Sequence, residues 1–558
     1  MKKKQLIRFF IGIGVIVLLN FLANQFFFRI DLTEDQRYTI APATERLLEK
    51  LEEPVFITVY LEGNDIPPAF KRLRTTVKEK LEEFTAYAGN NIRFRFEDIT
   101  QETDKKKLNE RIYNLIKKGI QPTNLVDKEG GSTVERLIIP GAMVSYEGKE
   151  APVMLLRGNQ RTKGLSSEQI LNQSVENVEY ELASAIRQLT NNERKRIGII
   201  QGYGNLRPIQ MADMITSLQK FYDVFLVPMQ KQPELKGLDA IIVAKPDSAF
   251  SEEDKYKIDQ FIVNGGKALF FVDALKSDTI LRGESTLLIK NDLNLDDLFF
   301  RYGVRLNDNV IQDLTSSGAI PMTVGNMGSQ PQVKLMPWRF FPLVNTFSKH
   351  PIVRNLDAVY LHYVGTIDTV KAVAIQKTPL MFTSPYSKVN AVPAQIDFNE
   401  ARLNPDPRQY RAGPQSVAYL LEGKFHSLYA NRITQVDPRF KMFKEYGNPS
   451  KIIICSDGDL PANEIDPKTG KPAALGYDQF MNTTFANKDF ILHAVDYLID
   501  ENGVIAARAK EVVLRPLDKL KVQEERLQWQ LINLVLPIVV IVILGLIRAY
   551  WRKRKYAV

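Results

Sequence analysis

Cys-Ser-Asp-Gly-Asp, residues 455–459, sets two carboxylates, Asp457 and Asp459, on either side of a glycine, directly after the apolar run 452–455. Two aspartates so spaced could ligate a cation or work as an acid–base pair. The carboxyl end of a buried strand is also where α/β proteins hold ligands. The same residues suit a plain turn, because Asp side chains bond their own backbone two residues on. The turn is the reading adopted and no metal is assigned; Asp457 and Asp459 remain the candidates should one bind, and a cation site is the better of the two functional options.

Other chemistry-bearing residues form no catalytic set. The four histidines, His350, His362, His426 and His493, lie too far apart for a ligand motif, and HExxH does not occur. Ser456, His493 and Asp496 include the residue types of a hydrolase triad, without a GxSxG elbow. The single cysteine, Cys455, excludes an intrachain disulfide and reads as a buried thiol. Gly202-Tyr203-Gly204 follows an apolar run but lacks both the third glycine of a dinucleotide fingerprint and the Lys-Ser/Thr of a phosphate loop. It reads as a strand-to-helix turn. No catalytic residue and no cofactor are assigned, and the chain is read as non-enzymatic. Trp338, Arg339, Phe340 and Phe341, within PWRFFPLVNTF (337–347), offer aromatic–arginine hot-spot chemistry for a partner. The alternative for this stretch is a hydrophobic plug under neighbouring loops.

The 558 residues carry a formal net charge of +9. Four of the basic residues lie in 1–28 and five in 529–558, with no acid in either stretch, so 29–528 is formally neutral. The body then has no global electrostatic reason to bind nucleic acid. Residues 9–28 form a charge-free apolar run, and 531–547 form a second. Each is long enough to cross or nearly cross a hydrocarbon core of about 30 Å. Basic outer flanks place both termini in the cytoplasm, with the main body on the other side. The first run lacks a small-residue cleavage site, which favours an uncleaved anchor over a signal peptide. Asn20 and Asn24, one turn apart, and Asn533 at the matching end of the second run are candidates for interhelical contact or for a membrane partner.

The elements needed to hold these residues fall into six stretches: a tail and anchor (1–28), an α/β module (29–192), a second domain (193–514), a stalk helix (515–530), a second membrane helix (531–547) and a basic tail (548–558). In the first module, strands at 55–61 and 92–99 alternate with helices at 69–88 and 103–118. Two strand-like segments and a helix at 167–190 follow. That βαβαββα order predicts a thioredoxin-like scaffold without its Cys-x-x-Cys. The second domain opens at 196–200 and alternates strands (223–227, 239–245, 267–273, 452–455) with helices (209–221, 252–264, 487–499), which predicts a parallel sheet covered on both faces. Two Pro/Asn/Gly-rich tracts, 313–337 and 384–414, read as long inserted loops.

Several stretches in order carry a family resemblance: RIDLTEDQRYTIAPAT (29–44), PGAMVSYEGKE (140–150), IGIIQGYGN (197–205), FIVNGGKALFFVD (261–273), PWRFFPL (337–343), LLEGKF (420–425), CSDGDL (455–460), LGYDQF (475–480) and NKDF (487–490). With an anchor at each end, the chain resembles the gliding-motility-associated ABC transporter accessory proteins of the GldG family, also described as substrate-binding-like. The resemblance covers essentially the whole chain. It implies an amidotransferase/flavodoxin-like second domain without a catalytic set, an ABC permease and its ATPase subunit as partners, and a two-pass protein of the bacterial inner membrane with a periplasmic body that grips a client or ligand. Where the family carries His and Glu, this chain has Tyr203 and Asn205, which argues further against chemistry in that turn. The alternative function is a membrane-bound extracytoplasmic hydrolase or metal-dependent enzyme built on Asp457 and Asp459.

Overall fold

The computed structural model describes residues 11–14, 39–63, 66–129, 132–156, 167–191, 193–278, 285–327, 330–432, 443–500, 503–509 and 525–556. Residues 11–14 are helical. The rest of the first apolar run, with Asn20 and Asn24, and the stalk stretch up to 524 lie outside the described residues. The chain forms two compact units, a large one that includes 38–510 and a small one that includes 511–558.

The large unit begins with α1 (Pro42–Glu49), opened by its proline. Strand β1 (Val55–Val59) buries every second side chain, as a half-buried strand must. Helix α2 (Pro68–Ala88) follows and stops at Gly89, whose φ of 58° few other residues adopt. Then come β2 (Ile92–Phe96) and α3 (Lys105–Lys118), capped by the Asp104 carboxylate, which accepts from Lys106 N–H at 2.9 Å. The hairpin β3 (Thr123–Glu129) and β4 (Ser132–Ile138) stands apart from the main sheet, while β5 (Gly141–Tyr146) and β6 (Lys149–Met154) complete it. The order is β2-β1-β5-β6, with β2 parallel to β1, and β5 and β6 antiparallel to their neighbours. Helix α2 and α4 (Ser167–Thr190) cover one face through Leu73, Val77, Leu182 and Ile186, and α3 covers part of the other through Leu115.

The second sheet starts with β7 (Arg196–Gln201), α5 (Ala212–Gln219), β8 (Asp223–Pro228), β9 (Ala240–Ala244), α6 (Glu252–Val263) and β10 (Lys267–Phe271). The short helix α7 (Asp296–Tyr302) packs beside α6. A ribbon of β11 (Ser317–Met327) and β12 (Gln330–Val344) comes next. Strands β13 (Thr346–Phe347), β14 (Ile375–Phe382), β15 (Ser416–His426) and β16 (Tyr446–Cys455) then return to the sheet, and α8 (Asn487–Ile499) closes it. The sheet order is β13-β14-β15-β16-β10-β9-β7-β8. Its five parallel strands, β8-β7-β9-β10-β16, run in chain order 2-1-3-4-5, so the winding direction reverses between β7 and β9. Every residue of β9 is buried, as a strand covered on both faces requires.

The tract at 313–337 is largely a β-ribbon rather than a loop. Pro331, Pro337 and Pro342 hid it, since proline argues against a central strand. The ribbon is two-stranded over most of its length, joined only at its base by Val359–Tyr360, and its open edges tolerate the missing N–H. The tract at 384–414 likewise holds two short strands, Ser387–Ala391 and Ala394–Asp397.

Two features join the sheets. The Asp496 carboxylate on α8 accepts from Tyr180 Oη at 2.9 Å, from Tyr222 Oη at 3.1 Å and from the Arg187 guanidinium; Arg187 also pairs with Asp500 at 3.1 Å. A 3-10 turn at Val504–Ala509 packs Ile505 and Ala507 against Tyr180 of α4 and Ala41, just before α1.

In the small unit, α9 (Arg526–Tyr556) is one helix with Pro537 inside it. The most apolar 18 residues of its 27-residue stretch Gln528–Arg554 have a mean hydropathy of 2.7, and none of them is buried. At 1.5 Å per residue the whole stretch spans about 40 Å, enough to cross a bilayer core. Among the described residues it is the one helix of that length and character.

Candidate functional site

β16 is fully buried over Ile452, Ile453, Ile454 and Cys455, which drives the chain out at the carboxyl edge of the sheet as Ser456-Asp457-Gly458-Asp459. The turn there is tight. Asp457 Oδ1 accepts from Asp459 N–H at 2.7 Å, closing an Asx turn, and Asp457 Oδ2 accepts from His362 N–H at 2.9 Å. Gly458 is required because a Cβ would meet Asp273 Oδ2 and Lys245 Cγ. Gly458 N–H instead donates to Asp273 Oδ1 at 2.5 Å.

Asp273 follows β10 and Lys245 follows β9, so three adjacent parallel strands send charged side chains to one corner. Carboxylate oxygens of Asp273, Asp457 and Asp459 all lie within 4.8 Å of one another. Lys245 Nζ is paired with Asp459 and lies 3.6 Å from Asp273 Oδ2. Its backbone has φ of 47°, a left-handed conformation uncommon for a side chain of this size.

The fields in this corner are strong. Burial, and after it Asp459, raises the Asp273 pKa to about 7, against the downward pull of Lys245 and Gly458 N–H. Burial, then Asp459 and Asp273, pushes the Asp457 carboxyl well above the usual carboxylate range. Burial works against the Lys245 charge, but Asp459 and Asp273 outweigh it and raise its pKa. The corner can keep a proton near neutrality and already seats one cation, the lysine ammonium. A divalent ion would have to displace Lys245 to reach all three carboxylates.

Sequence reading found Asp457 and Asp459 but missed Asp273 and Lys245. The signal was present: the buried runs of β9 and β10 each end in a charged residue within two positions. The aromatic stretch lies directly behind the corner. Phe341 is half-buried, its ring 4.4 Å from His362, whose backbone holds Asp457. Trp338 and Phe340 are 1% and 2% exposed, packed with Leu275, Leu288, Val310 and Ile396, and the buried Arg339 donates to Glu400 O at 2.6 Å. These side chains form an internal plug. Trp338 and Phe340, two positions apart on the strand, both pack inward, and Arg339 between them is covered as well, so in burial this stretch matches the plug given as the alternative to a partner contact.

The triad does not assemble. Ser456 Oγ donates to Gly365 O at 2.7 Å, His493 contacts Arg508 at Nε2, and Asp496 is held in the Tyr180–Arg187–Tyr222 joint. The Gly202-Tyr203-Gly204 turn has φ of 113° and 65° at its glycines. A Cβ on either would collide with Gln230 or Asp247. Tyr203 stacks on Phe250 at 3.9 Å and donates to Asp254 at 2.5 Å, while its N–H donates to Asn205 Oδ1 at 3.0 Å. The turn is filled by the protein's own groups. Asn533 lies exposed on α9.

A family profile described as an ABC-type uncharacterized transport system, ABC_transp_aux, matches residues 194–494, more than half the chain. A second, a domain of unknown function called DUF7088, matches 34–145. An uncharacterized protein of Borreliella burgdorferi is 22% identical over 586 aligned positions, covering 99% of each chain. Among solved structures, the mmIFT52 N-terminal domain aligns with 55% of this chain and 97% of its own at 11% identity and a TM-score of 0.31, too low to carry an argument.

Proposed function

Because this chain belongs to the ABC-type transport-system auxiliary family, we propose that it is a membrane-anchored, non-enzymatic accessory subunit of an ABC transporter, with an ATPase subunit and a permease as partners. The observation that carries the anchoring is the apolar run 531–547 of α9, unburied by its own chain and followed by the basic residues Arg548, Arg552, Lys553, Arg554 and Lys555. Such a helix finds its solvent in lipid or against other apolar helices. The positive-inside rule puts its basic end in the cytoplasm, and the large unit is then periplasmic, where it meets a client or ligand. With the first apolar run as a second anchor, the protein is two-pass in the bacterial inner membrane. Asn20, Asn24 and Asn533 are the proposed polar contacts between these helices or with the permease. The experiment is affinity purification of the full chain in mild detergent. Recovery of an ATPase and a polytopic permease supports the reading, and recovery of the chain alone overturns it.

We read the first sheet as thioredoxin-like and the second as flavodoxin-like. The β2-β1-β5-β6 order supports the first, and the 2-1-3-4-5 winding supports the second. The assignment to gliding motility rests on the resemblance to the GldG family. Loss of colony spreading on deletion of the gene, restored by its return, is the test.

One observation favours a second reading. The three clustered carboxylates could hold a cation for metal-dependent hydrolysis if Lys245 moved aside. Metal content of the purified full chain decides it: a stoichiometric ion lost in Asp457→Asn would promote this reading over a purely scaffolding corner.

A further inference from the structure

Helix α3 carries Lys105, Lys106, Lys107, Arg111, Lys117 and Lys118 against a single acid, Glu110. Leu115 is buried, and Leu108 and Ile112 are half-buried, so its apolar face is already used on the first sheet. The outward face is left with the lysines, together with Tyr113 at 67% and Ile116 at 45% exposure. Arg111 is paired with Glu97, and Lys118 with Glu150 at 2.6 Å. Lys105, Lys106, Lys107 and Lys117 have no acidic partner among the described residues.

Three of these lysines fill the first turn directly after the Asp104 cap, and no acidic residue sits within that turn. That is the positive end of the helix dipole, where cations are unfavourable and repel one another. Local stability alone would place acids there. Basic side chains clustered against that preference mark a face shaped by something outside the helix. An aromatic and an aliphatic residue three positions apart among them add a shallow apolar element.

We propose that the outer face of α3 docks on the headgroups of anionic phospholipids at the surface of the bilayer in which the chain is anchored. The lysines supply charge complementarity, while Tyr113 and Ile116 are placed to enter the headgroup boundary. The stretch 29–41, between the first apolar run and α1, reaches at most about 45 Å when fully extended, so the first module is tethered within that distance of lipid. This rests on the anchoring proposed above.

The test uses the full chain in lipid nanodiscs. Cys455 is completely buried, so Asn109→Cys places a single accessible thiol on the exposed face for a fluorophore. Discs contain nitroxide-headgroup lipid in either phosphatidylglycerol or phosphatidylcholine. The expected result is quenching in phosphatidylglycerol discs only, lost at about 1 M salt, where the screening length falls to about 3 Å. It is also lost in Lys105→Gln/Lys106→Gln/Lys107→Gln/Lys117→Gln, whose melting temperature does not fall, because all four side chains are exposed and three of them are removed from the positive end of the helix. An unquenched label in phosphatidylglycerol discs overturns the proposal. So does a label that responds to added heparin but not to lipid, which would make the face a general polyanion or acidic-partner site. If anchoring itself is wrong, the chain is not recovered in discs of either composition, which separates that failure from this one.

Discussion

The carboxylate corner and the aromatic plug behind it make opposite demands at the level of single side chains. Trp338→Ala empties a fully buried site and is expected to cost about 3–5 kcal/mol of stability; calorimetry of the full chain should show a lower melting temperature with partner recovery intact. Asp273 gives a pH signature. Its folded pKa of about 7 lies above the ordinary carboxylate value near 4, so the folded state holds a proton that the unfolded state has released. Its contribution to stability is therefore present below about pH 4 and lost as pH rises towards 7. His350 has the reverse sign, because burial and Lys451 lower its pKa to about 4, and its contribution is lost as pH falls from about 6.5. Melting temperatures between pH 4 and 8 should rise in Asp273→Asn relative to the parent at the neutral end, and rise in His350→Gln at the acid end. Two of the corner's four charged residues were legible in sequence because they are neighbours. Asp273 and Lys245 come from other strands, and only the sheet order shows that β9, β10 and β16 lie side by side.

Elements were legible where one period ruled a whole segment. The alternation in β1, the helical spacing of Leu73, Val77 and Leu81, and the apolar runs of β9 and β10 each allowed one structure. The ribbon at 317–344 was not legible, since its prolines are penalised in a sheet and tolerated at an open edge. The joint between α4 and α8 is a further tertiary feature. Burial opposes the Arg187 charge, yet Asp496 first, then Tyr222 and Asp500, raise its pKa above the usual value. Asp496→Ala leaves that guanidinium without its main partner, and about 3–5 kcal/mol should be lost, measured as a shifted denaturant midpoint. Two glycines inserted after Glu525, at the start of α9, should abolish transport or motility while leaving subunit recovery unchanged. Normal activity would remove any rigid coupling through that helix from the mechanism.

For the molecule as a whole, the proposed topology predicts that a reporter active only in the cytoplasm will work when fused after Val558 and stay silent when inserted at the exposed turn around Gly470. The reverse pattern would place the large unit inside the cell. The proposal rests on composition, because all of the net charge sits beside the two apolar runs. The closing of the first module by a remote segment was not legible, since Val504–Ala509 carries no motif and its partners Ala41 and Tyr180 are ordinary in sequence. That closure bears on how the protein is made. Synthesis proceeds from the amino terminus, and domains fold as they emerge. The apolar surface around Tyr180 must wait, uncovered, until the ribosome has finished nearly everything else, so the first module made is the last to be completed.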